Sequence, residues 1–382
     1  MALPSIVSGN RTTFNDQDDH ILDIERGIKF LNPRDNGIKF VKRLIQNRGS
    51  NVAKSYKHEW VETALPVRRE TVTIANDSDT DVTVGNAYGY QVGDLLRVDD
   101  EILRVTVVAP GAVATTITVT RSYGASAAAA HSAKVMYNLG SAAIENATAP
   151  AGISLDGDKL YNYVQTFDRA VDMSNDEIAQ LSAEMGNPFN AQLERVTLYF
   201  WKLLAQAIFK GERIEDSTLK IHAMGGIDYF MTTNATSGGG ALTLALIDAE
   251  ILQIVQAGGD PDVIVLSPYQ KQKLDALDTT AVRIGKRGPH LGGSLNVQTW
   301  QSGVLDHTLD VVVDHTIPDT EVYILDTSKL ELVPLVNNGI NGRLSVEDAT
   351  TPGQDGKKKV LRAKYTLVVR MQTGMSKIYA LT

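Results

Sequence analysis

The side chains that come nearest to a catalytic or metal-binding group lie between positions 305 and 315. Two histidines, His307 and His315, flank a valine-rich segment that also contains Asp306, Asp310 and Asp314. Imidazole and carboxylate groups are common zinc ligands, and a zinc-bound water could serve a hydrolase. The valines predict a strand, however, and the two ends of a strand lie too far apart to converge on one ion. We interpret the segment as a buried strand with polar ends and keep a hydrolase as an alternative.

A second candidate is an ion-binding loop near position 80. Asp77, Asp79 and Asp81 have the spacing of the first ligands of a calcium loop. Val82 stands where that loop requires glycine, and Tyr88 stands where it requires a bidentate glutamate. We interpret the segment as a turn between strands.

A third candidate is the glycine-rich segment 285–293, GKRGPHLGG, which has the composition of a phosphate-binding loop. It lacks the Lys-Ser/Thr ending and the strand–loop–helix context of such a loop. We interpret it as a mobile loop that carries Arg287. The basic run 356–364, GKKKVLRAK, is interpreted as the solvated tip of a hairpin.

Other catalytic chemistries lack their residues. Cysteine is absent, which excludes disulfides, thiolate metal sites and cysteine nucleophiles. The sequence has neither a Gly-x-Ser-x-Gly elbow nor a His-Glu-x-x-His motif, and no pair of carboxylates stands out by its spacing. We therefore predict a protein that is not an enzyme and that has no catalytic site, cofactor or metal.

Length and composition are those of a globular protein. The chain has 382 residues, 43% of them hydrophobic and 21% charged, and can form two or three domains with separate cores. No apolar run reaches the roughly 20 residues that cross a bilayer, and the N-terminus has no signal-peptide pattern, so no membrane partner is expected. The net charge of −8 argues against tight binding of nucleic acid, which relies on Lys and Arg.

The N-terminal part predicts an extended arm. Residues 1–20 are polar and aperiodic, a short helix is predicted near 18–28, and a second short helix is predicted over 38–47. Residues 54–65 then predict a strand in which Tyr56, His58 and Trp60 face one way. Neither face of this strand is apolar enough for a core of its own, so we expect it to lie on a neighbouring molecule.

Residues 70–137 have a different character. Five short runs rich in β-branched residues alternate with turn residues such as Gly93-Asp94 and Pro110-Gly111. This pattern predicts a small antiparallel β-barrel or sandwich inserted into a larger domain.

The second half of the chain mixes helices and strands. After a predicted strand at 161–172, a helix is predicted over 188–210, with Asn187 as its N-cap. It would be about 36 Å long. Its two apolar stripes, one of which contains Trp201, indicate a helix sandwiched between other elements. Helices at 244–257 and 268–277 flank a buried strand at 262–266, and several strands follow. The sum is a mixed α+β fold.

This order of elements resembles the major capsid proteins of tailed bacteriophages with the Hong Kong 97-type fold, in the subgroup with a β-domain inserted in the extended loop. The segments that carry the resemblance are His58–Glu62, Gly93–Arg97, Thr118–Gly124, Tyr161–Gln165, the long helix, Tyr323–Asp326 and the strand that begins at Tyr365. No single motif is specific, but the order holds over nearly the whole chain.

The resemblance implies a domain organisation. Residues 1–50 would be the N-terminal arm, 51–160 the extended loop with the insertion at about 70–137, 161–240 the peripheral domain with spine helix 188–210, 241–350 the axial domain, and 351–382 the strands that return to the peripheral domain.

It also implies a function and partners. Copies of the chain would form hexamers and pentamers of an icosahedral shell around the double-stranded DNA genome, assembled in the host cytoplasm. The scaffold region that often precedes the arm is missing, so a separate scaffolding protein is expected, together with a portal and room for a decoration protein. A cargo-enclosing bacterial nanocompartment shell of the same fold is the alternative.

Specific residues are expected at the interfaces of such a shell. They are Tyr56, Trp60, Arg68, Arg69 and, near a capsomer axis, Arg287. The contacts are expected to be non-covalent, and a Trp60→Ala variant to fold but assemble poorly. Some capsids of this fold join subunits by a Lys–Asn isopeptide bond. Lys54 and Lys57 lie in the extended loop, but the sequence identifies neither the asparagine nor the assisting glutamate of such a bond.

Overall fold

The computed structural model describes residues 36–47, 51–63, 69–85, 87–108, 116–142, 145, 157–179, 187–277 and 299–382. The chain divides into two compact units. The first unit consists of Met1–Glu59 and Tyr161–Thr382, and the second unit consists of Trp60–Leu160. The predicted helix over 18–28 and the polar segment 1–20 lie outside the described residues.

The elements of the described residues follow in chain order. They begin with α1 (Asn36–Asn47) and β1 (Lys57–Glu62), which leads into the second unit. The second unit contains β2 (Arg69–Ile74), β3 (Asp81–Thr83), β4 (Asp94–Val98), β5 (Glu101–Val108), β6 (Thr116–Thr120) and β7 (His131–Ser141). Strand β8 (Asp158–Tyr163) pairs with β1 and leads back to the first unit.

The first unit continues with β9 (Gln165–Ser174), α2 (Asn175–Ala179), α3 (Pro188–Lys210), β10 (Ile214–Asp216), β11 (Ile221–Ala223), α4 (Ile227–Phe230), β12 (Ala235–Ser237), α5 (Leu244–Gln256), β13 (Val263–Leu266) and α6 (Pro268–Leu277). Its last elements are β14 (Thr299–Gln301), β15 (Thr308–Val313), β16 (Val322–Leu325), β17 (Leu330–Pro334), β18 (Val336–Asn337), β19 (Ile340–Asn341), β20 (Ser345–Asp348), β21 (Gly356–Val369) and β22 (Ser376–Tyr379).

A six-stranded sheet divides the interior of the first unit into two cores. Its strand order is β12-β22-β16-β13-β15-β14. Successive side chains of a strand point to opposite faces. Val263 and Val265 of β13 accordingly belong to the first core, which also contains Phe40 of α1. Ile264 and Leu266 belong to the second core, beneath α5 and α6. The four residues of β13 are therefore all buried, two on each face of the sheet, as the Val/Ile-rich run predicts.

The long predicted helix is confirmed as α3. Asn187 caps it by accepting a hydrogen bond from the Phe189 N–H at 3.0 Å. The C-terminal half of α3 is buried in the first core, through Phe200, Leu204 and Ile208. The helix ends at Gly211, where a Cβ atom would lie only 2.4 Å from the Ala207 carbonyl oxygen. The predicted helices at 38–47, 244–257 and 268–277 correspond to α1, α5 and α6 and are also confirmed.

Two predictions about the strands are wrong. Residues 161–172 form two strands, because β8 ends at Tyr163 and β9 begins at Gln165, with Val164 between them. Asn162, the residue before the end of β8, is fully buried. The Asn162 side-chain amide donates to the carbonyl oxygens of Gly225 (2.9 Å) and Leu367 (2.7 Å). The basic run 356–364 is not a hairpin tip. It lies in β21, paired with β9 along Gly356–Tyr365, so the sheet holds its backbone and the lysines project from it.

The second unit is one antiparallel sheet of six strands in the order β2-β7-β4-β5-β6-β3. The outer strands β2 and β3 lie close to each other, so the sheet is curled around its own core. That core contains Val72, Leu96, Leu103 and Met136. The expected antiparallel β-structure is therefore confirmed, in the form of a single curled sheet.

A buried ion cluster closes one end of this sheet. The Arg121 guanidinium donates to both carboxylate oxygens of Glu101, at 2.7 Å each, and His131 Nε2 lies 2.9 Å from the same carboxylate. The side chain of Glu101 is 1% exposed. Arg121 also donates to the backbone carbonyls of Asn76, Asp79 and Ala129, so one side chain joins the β2–β3 loop to the β6–β7 loop.

No helix in the described part of the chain has the length and apolar character required to cross a membrane.

Candidate assembly surfaces

Tyr56 stands at the outer end of a group of stacked rings in the first unit. Its ring centroid lies 4.8 Å from that of His222 and 6.2 Å from that of Tyr163. Tyr56 remains 51% exposed, whereas Tyr163 is buried. We call these three residues the aromatic stack. Its inner member is fixed, because the Tyr163 hydroxyl donates to Glu215 at 2.5 Å, a bond that also raises the pKa of Tyr163.

The two-stranded ribbon of β10 and β11 packs one of its faces on the aromatic stack and leaves its opposite face uncovered. Glu215 is paired with His222, and both side chains point toward the stack. Ile214 and Ile221 occupy alternate positions, so their side chains point away from it. Each is 50% exposed, and Leu219 in the connecting turn is 68% exposed. Aliphatic side chains grouped in this way mark a surface suited to contact with another molecule.

Two cations lie against the ring of Tyr161 on β8, and one of them, Lys57, comes from β1. The Lys57 ammonium lies 4.1 Å from the centre of the Tyr161 ring, and the Arg213 guanidinium lies 4.0 Å from it. Lys57 also forms an ion pair with Glu59 at 2.7 Å, and this hydrogen bond raises the pKa of Lys57. In the single subunit the Lys57 ammonium is thus engaged by Glu59 and by the Tyr161 ring.

Trp60 differs from Tyr56 and Arg69, the two other predicted interface residues that the structure describes. Its side chain is 7% exposed in the single subunit, and its Nε1–H donates to Glu62 at 2.9 Å. The neighbouring Val61 is 61% exposed. The indole is therefore largely covered before any neighbour binds. We therefore expect a Trp60→Ala change to lower the stability of the subunit in addition to its assembly.

The remaining predicted residues are distributed as follows. Arg69 is exposed on β2, while Arg68 and Arg287, together with the loop 285–293, lie outside the described residues. Trp201 packs at the side of the first core, with its ring 6.0 Å from that of Phe200.

The side chains that suggested metal chemistry have separate structural partners. Asp310 accepts a hydrogen bond from Arg43 at 2.6 Å, and the buried Asp314 accepts from the Thr316 N–H at 2.8 Å. His307 lies at the other end of β15 from Asp314, and its ring is 2.9 Å from the Pro261 carbonyl oxygen. Across the described ranges, no three or more His, Asp or Glu side chains are grouped so that they could hold a metal ion.

The aspartates near position 80 also have structural partners. Asp79 accepts from the backbone N–H of Asn76 at 3.0 Å, and Asp81 accepts from the Thr118 hydroxyl at 2.9 Å. These bonds close a turn and join β3 to β6, in keeping with the interpretation of the segment as a turn.

Sequence reasoning missed a polar network at the end of α3. Lys210 of α3 and Lys377 of β22 both bind Asp228 and Glu321, and the Tyr323 hydroxyl lies 2.7 Å from Asp228. These five residues come from four separate segments of the chain, so no local spacing signals their meeting. The network fastens the C-terminal end of the long helix to the central sheet.

The fold defines the class of protein. The structure is similar to a capsid protein in the capsid asymmetric unit of cyanophage A-1(L), with a TM-score of 0.52, 14% identity, and coverage of 94% of this chain and 97% of that chain. A capsid protein of cyanophage P-SCSP1u (TM-score 0.44, 11% identity, 63% and 80% coverage) is also similar. So is a chain of the SrpI encapsulin complex of Synechococcus elongatus (TM-score 0.43, 11% identity, 59% and 78% coverage). The similarity to the cyanophage A-1(L) chain shows the fold, which is that of the Hong Kong 97-type capsid proteins.

The sequence places the chain in a family. Residues 6–382 match the model of the SU10 major capsid protein, so the chain belongs to the SU10 major capsid protein family. No match is found among curated proteins. The chain is a major capsid protein, a structural subunit of the icosahedral shell of a tailed-phage virion.

Proposed function

We propose that the shell is built from hexamers and pentamers of this chain and that its subunits are joined by non-covalent contacts of the aromatic stack and the β10–β11 ribbon, which together we call the hairpin region. The observation that carries the proposal is the uncovered surface of that region. Tyr56 and the outward isoleucines of the β10–β11 ribbon are each at least half exposed in the single subunit. Burial of such side chains contributes roughly 25 cal/mol per Å² of apolar surface, and many identical contacts add up in a closed shell.

We further propose the domain roles that the resemblance implies. The separation of Trp60–Leu160 as a compact unit supports an extended loop at 51–160 that carries an inserted β-domain at about 70–137. The remaining chain would provide the peripheral domain (161–240 and 351–382) and the axial domain (241–350). Phe40, Val41 and Leu44 of α1 lie in the first core, so the part of the arm that reaches a neighbour would precede residue 36.

The expected interface residues divide into two groups. Tyr56 and Arg69 are exposed and available to a neighbour, while Trp60 would position Val61 and Glu62 rather than dock its own ring. Arg68 and Arg287 remain proposals from the sequence. The chain would be a structural protein without catalytic activity, assembled in the host cytoplasm with a scaffolding protein and a portal. An acidic chain, with net charge −8, would enclose DNA without gripping it.

Substitution of Tyr56 tests the hairpin contact. Tyr56→Ala removes a half-exposed ring whose loss leaves the buried Tyr163 in place. We expect the free energy of unfolding of the purified subunit to stay within about 1 kcal/mol of the wild-type value, because the ring is only partly buried. We expect the yield of closed shells to fall about tenfold. Electron microscopy and sedimentation of particles would measure the yield.

The matched control is Tyr269→Ala, which removes a ring that is 41% exposed on α6, far from the hairpin in sequence. Normal shells at normal yield from Tyr56→Ala would contradict the hairpin contact. The contents of the wild-type particles supply a separate result, since packaged DNA is expected of a virion shell and enclosed enzyme would indicate a nanocompartment.

A further inference from the structure

The outer face of β7 in the second unit carries an exposed apolar stripe. Val135, Tyr137 and Leu139 are 41%, 47% and 58% exposed. They alternate with Met136, which is 1% exposed and lies in the core on the opposite face of the sheet. Strand β7 is flanked by β2 and β4, so the stripe lies on the face of the sheet and not at its edge. Large apolar side chains at three successive outward positions are unusual on a solvated sheet.

Two arginines stand on either side of this stripe. Arg69 of β2 and Arg97 of β4 are both register partners of Tyr137. Residues directly opposite each other on paired strands project from the same face of a sheet. The Tyr137 ring is therefore placed between two exposed guanidinium groups. Arg97 makes one weak outward ion pair, at 3.4 Å, with the fully exposed Asp100 of the turn.

The same face has further basic and apolar character. On β5, Arg104 is the register partner of Leu95, and Ile102 is the partner of Arg97. The outward positions that the register gives for β2, β7, β4 and β5 include no carboxylate among the described residues. We define the basic apolar face as Arg69, Arg97, Val135, Tyr137 and Leu139.

We propose that the basic apolar face binds an acidic and partly apolar surface of a second copy of this chain. The proposal rests on the shell assembly proposed above but uses none of the residues of the aromatic stack or of the β10–β11 ribbon. It assigns the second unit a contact of its own between subunits.

Charge identifies the partner. The whole chain has a net charge of −8, so a second copy presents an acidic surface on average. The described strand positions of the face carry arginines and no carboxylate, and Asp100 of the turn is only a weak partner of Arg97. Two copies of the face cannot bind each other symmetrically, because their arginines would oppose each other. The contact is therefore between this face and a different surface of the second copy.

A second copy has at least one surface of the required kind. At the C-terminal end of α5, Leu252 and Val255 are 44% and 37% exposed. The side chains of Asp260 and Asp306 nearby are 80% and fully exposed, and both lie beside His307. The stretch 241–270 contains no Lys or Arg. DNA fits the face less well, because phosphates would pair with the arginines but leave the aliphatic stripe uncovered.

Hydroxyl-radical footprinting of shells and of subunits dissociated from them tests the proposal. Shells that contain only this chain are compared with the free subunits. We expect oxidation of Tyr137 and Leu139 to fall about fivefold in the shells, as these side chains pass from half exposed to buried. Val92 is 62% exposed in the same unit but lies outside β7, so it serves as the internal control.

Charge reversal supplies the second measurement. The double variant Arg69→Glu and Arg97→Glu is expected to lower the yield of shells about tenfold, through repulsion of an acidic partner. Lys134→Glu is the control. Lys134 is on the same strand, but it is paired with Val72 and alternates with Val135, Tyr137 and Leu139 instead of sharing their face. Hydrogen exchange at Leu103 and Met136 would verify that each variant retains the core of the second unit.

Equal oxidation of Tyr137 in shells and free subunits would overturn the proposal. So would protection that occurs only when DNA or a second protein is present in the particle, since the occupant would then be that molecule. Protection of Tyr56 is read in the same samples. Protection of Tyr56 without protection of Tyr137 would contradict only the proposed contact of the basic apolar face. Protection of Tyr137 without protection of Tyr56 would contradict only the proposed hairpin contact.

Discussion

Glu101→Gln is expected to destabilise the second unit by about 3–5 kcal/mol, the usual cost when one partner of a buried ion pair is removed. The wild-type carboxylate accepts two hydrogen bonds from the Arg121 guanidinium and also binds His131. Glutamine offers only one acceptor oxygen and no charge, so the buried guanidinium of Arg121 would lose its counterion. The β2–β3 and β6–β7 loops that Arg121 joins should loosen together.

The same carboxylate predicts an acid-sensitive second unit. Burial alone would raise the pKa of Glu101, but hydrogen bonds from Arg121 and His131 outweigh it and lower the pKa from 4.5 to about 2. Above pH 4.5 the carboxylate is ionised in both states, and its full contribution, roughly 3 kcal/mol, is present. As the pH falls from 4.5 toward 2, the unfolded state takes up the proton first, and the contribution is lost.

Hydrogen exchange of the full chain, followed in peptides of β4 to β7, would measure both effects. Asp100→Asn is the control, because Asp100 is fully exposed in its ion pair with Arg97 and should contribute less than about 1 kcal/mol. If Glu101→Gln matched the wild type in stability and kept the same loss between pH 4.5 and 2, the buried cluster would not be the cause of either effect.

Phe40→Ala is expected to destabilise the first unit by about 3–5 kcal/mol, the usual range for a fully buried aromatic ring. Phe40 is 0% exposed, and its ring lies 5.0 Å from that of Phe209 on the long helix. The loss would open a cavity between α1 and α3. Arg43 adds a polar attachment for α1, through ion pairs with Asp262 and Asp310 at 3.0 and 2.6 Å.

Urea unfolding of the dissociated subunit would measure this change. Lys39→Ala, at an exposed position of the same helix, provides the control and should stay within about 0.5 kcal/mol of the wild type. An unchanged midpoint for Phe40→Ala would mean that α1 does not pack in the subunit's own core and that it belongs to the part of the arm that reaches a neighbour.

Local patterns predicted most of the elements correctly. The cap at Asn187 places the start of α3, because a capping side chain binds a backbone N–H only two or three residues further on. The β-branched runs of the second unit likewise became strands, since alternation along a strand is a local property. Short strands such as β10, β18 and β19 were missed, because two or three residues carry too little periodicity.

The candidate surfaces were only partly predictable. The exposed ring of Tyr56 was anticipated from its polar surroundings, but the burial of Trp60 depends on neighbours that its own segment does not specify. The alternation of Val135, Tyr137 and Leu139 is visible in the sequence, yet Lys134, Met136 and Asn138 alternate with them. Which set faces the core depends on the curl of the whole sheet.

The sequence by itself determined the order and type of the elements, the absence of thiol chemistry and the acidic character of the chain, and the resemblance of that order led to the capsid family. Only the tertiary structure decided which residues meet: Arg121 with Glu101, Asn162 with Leu367, Lys210 with Glu321, and Tyr137 between two arginines. The physical reason is range. Capping, alternation and composition act over a few residues, whereas these contacts join positions that only the folded backbone brings together.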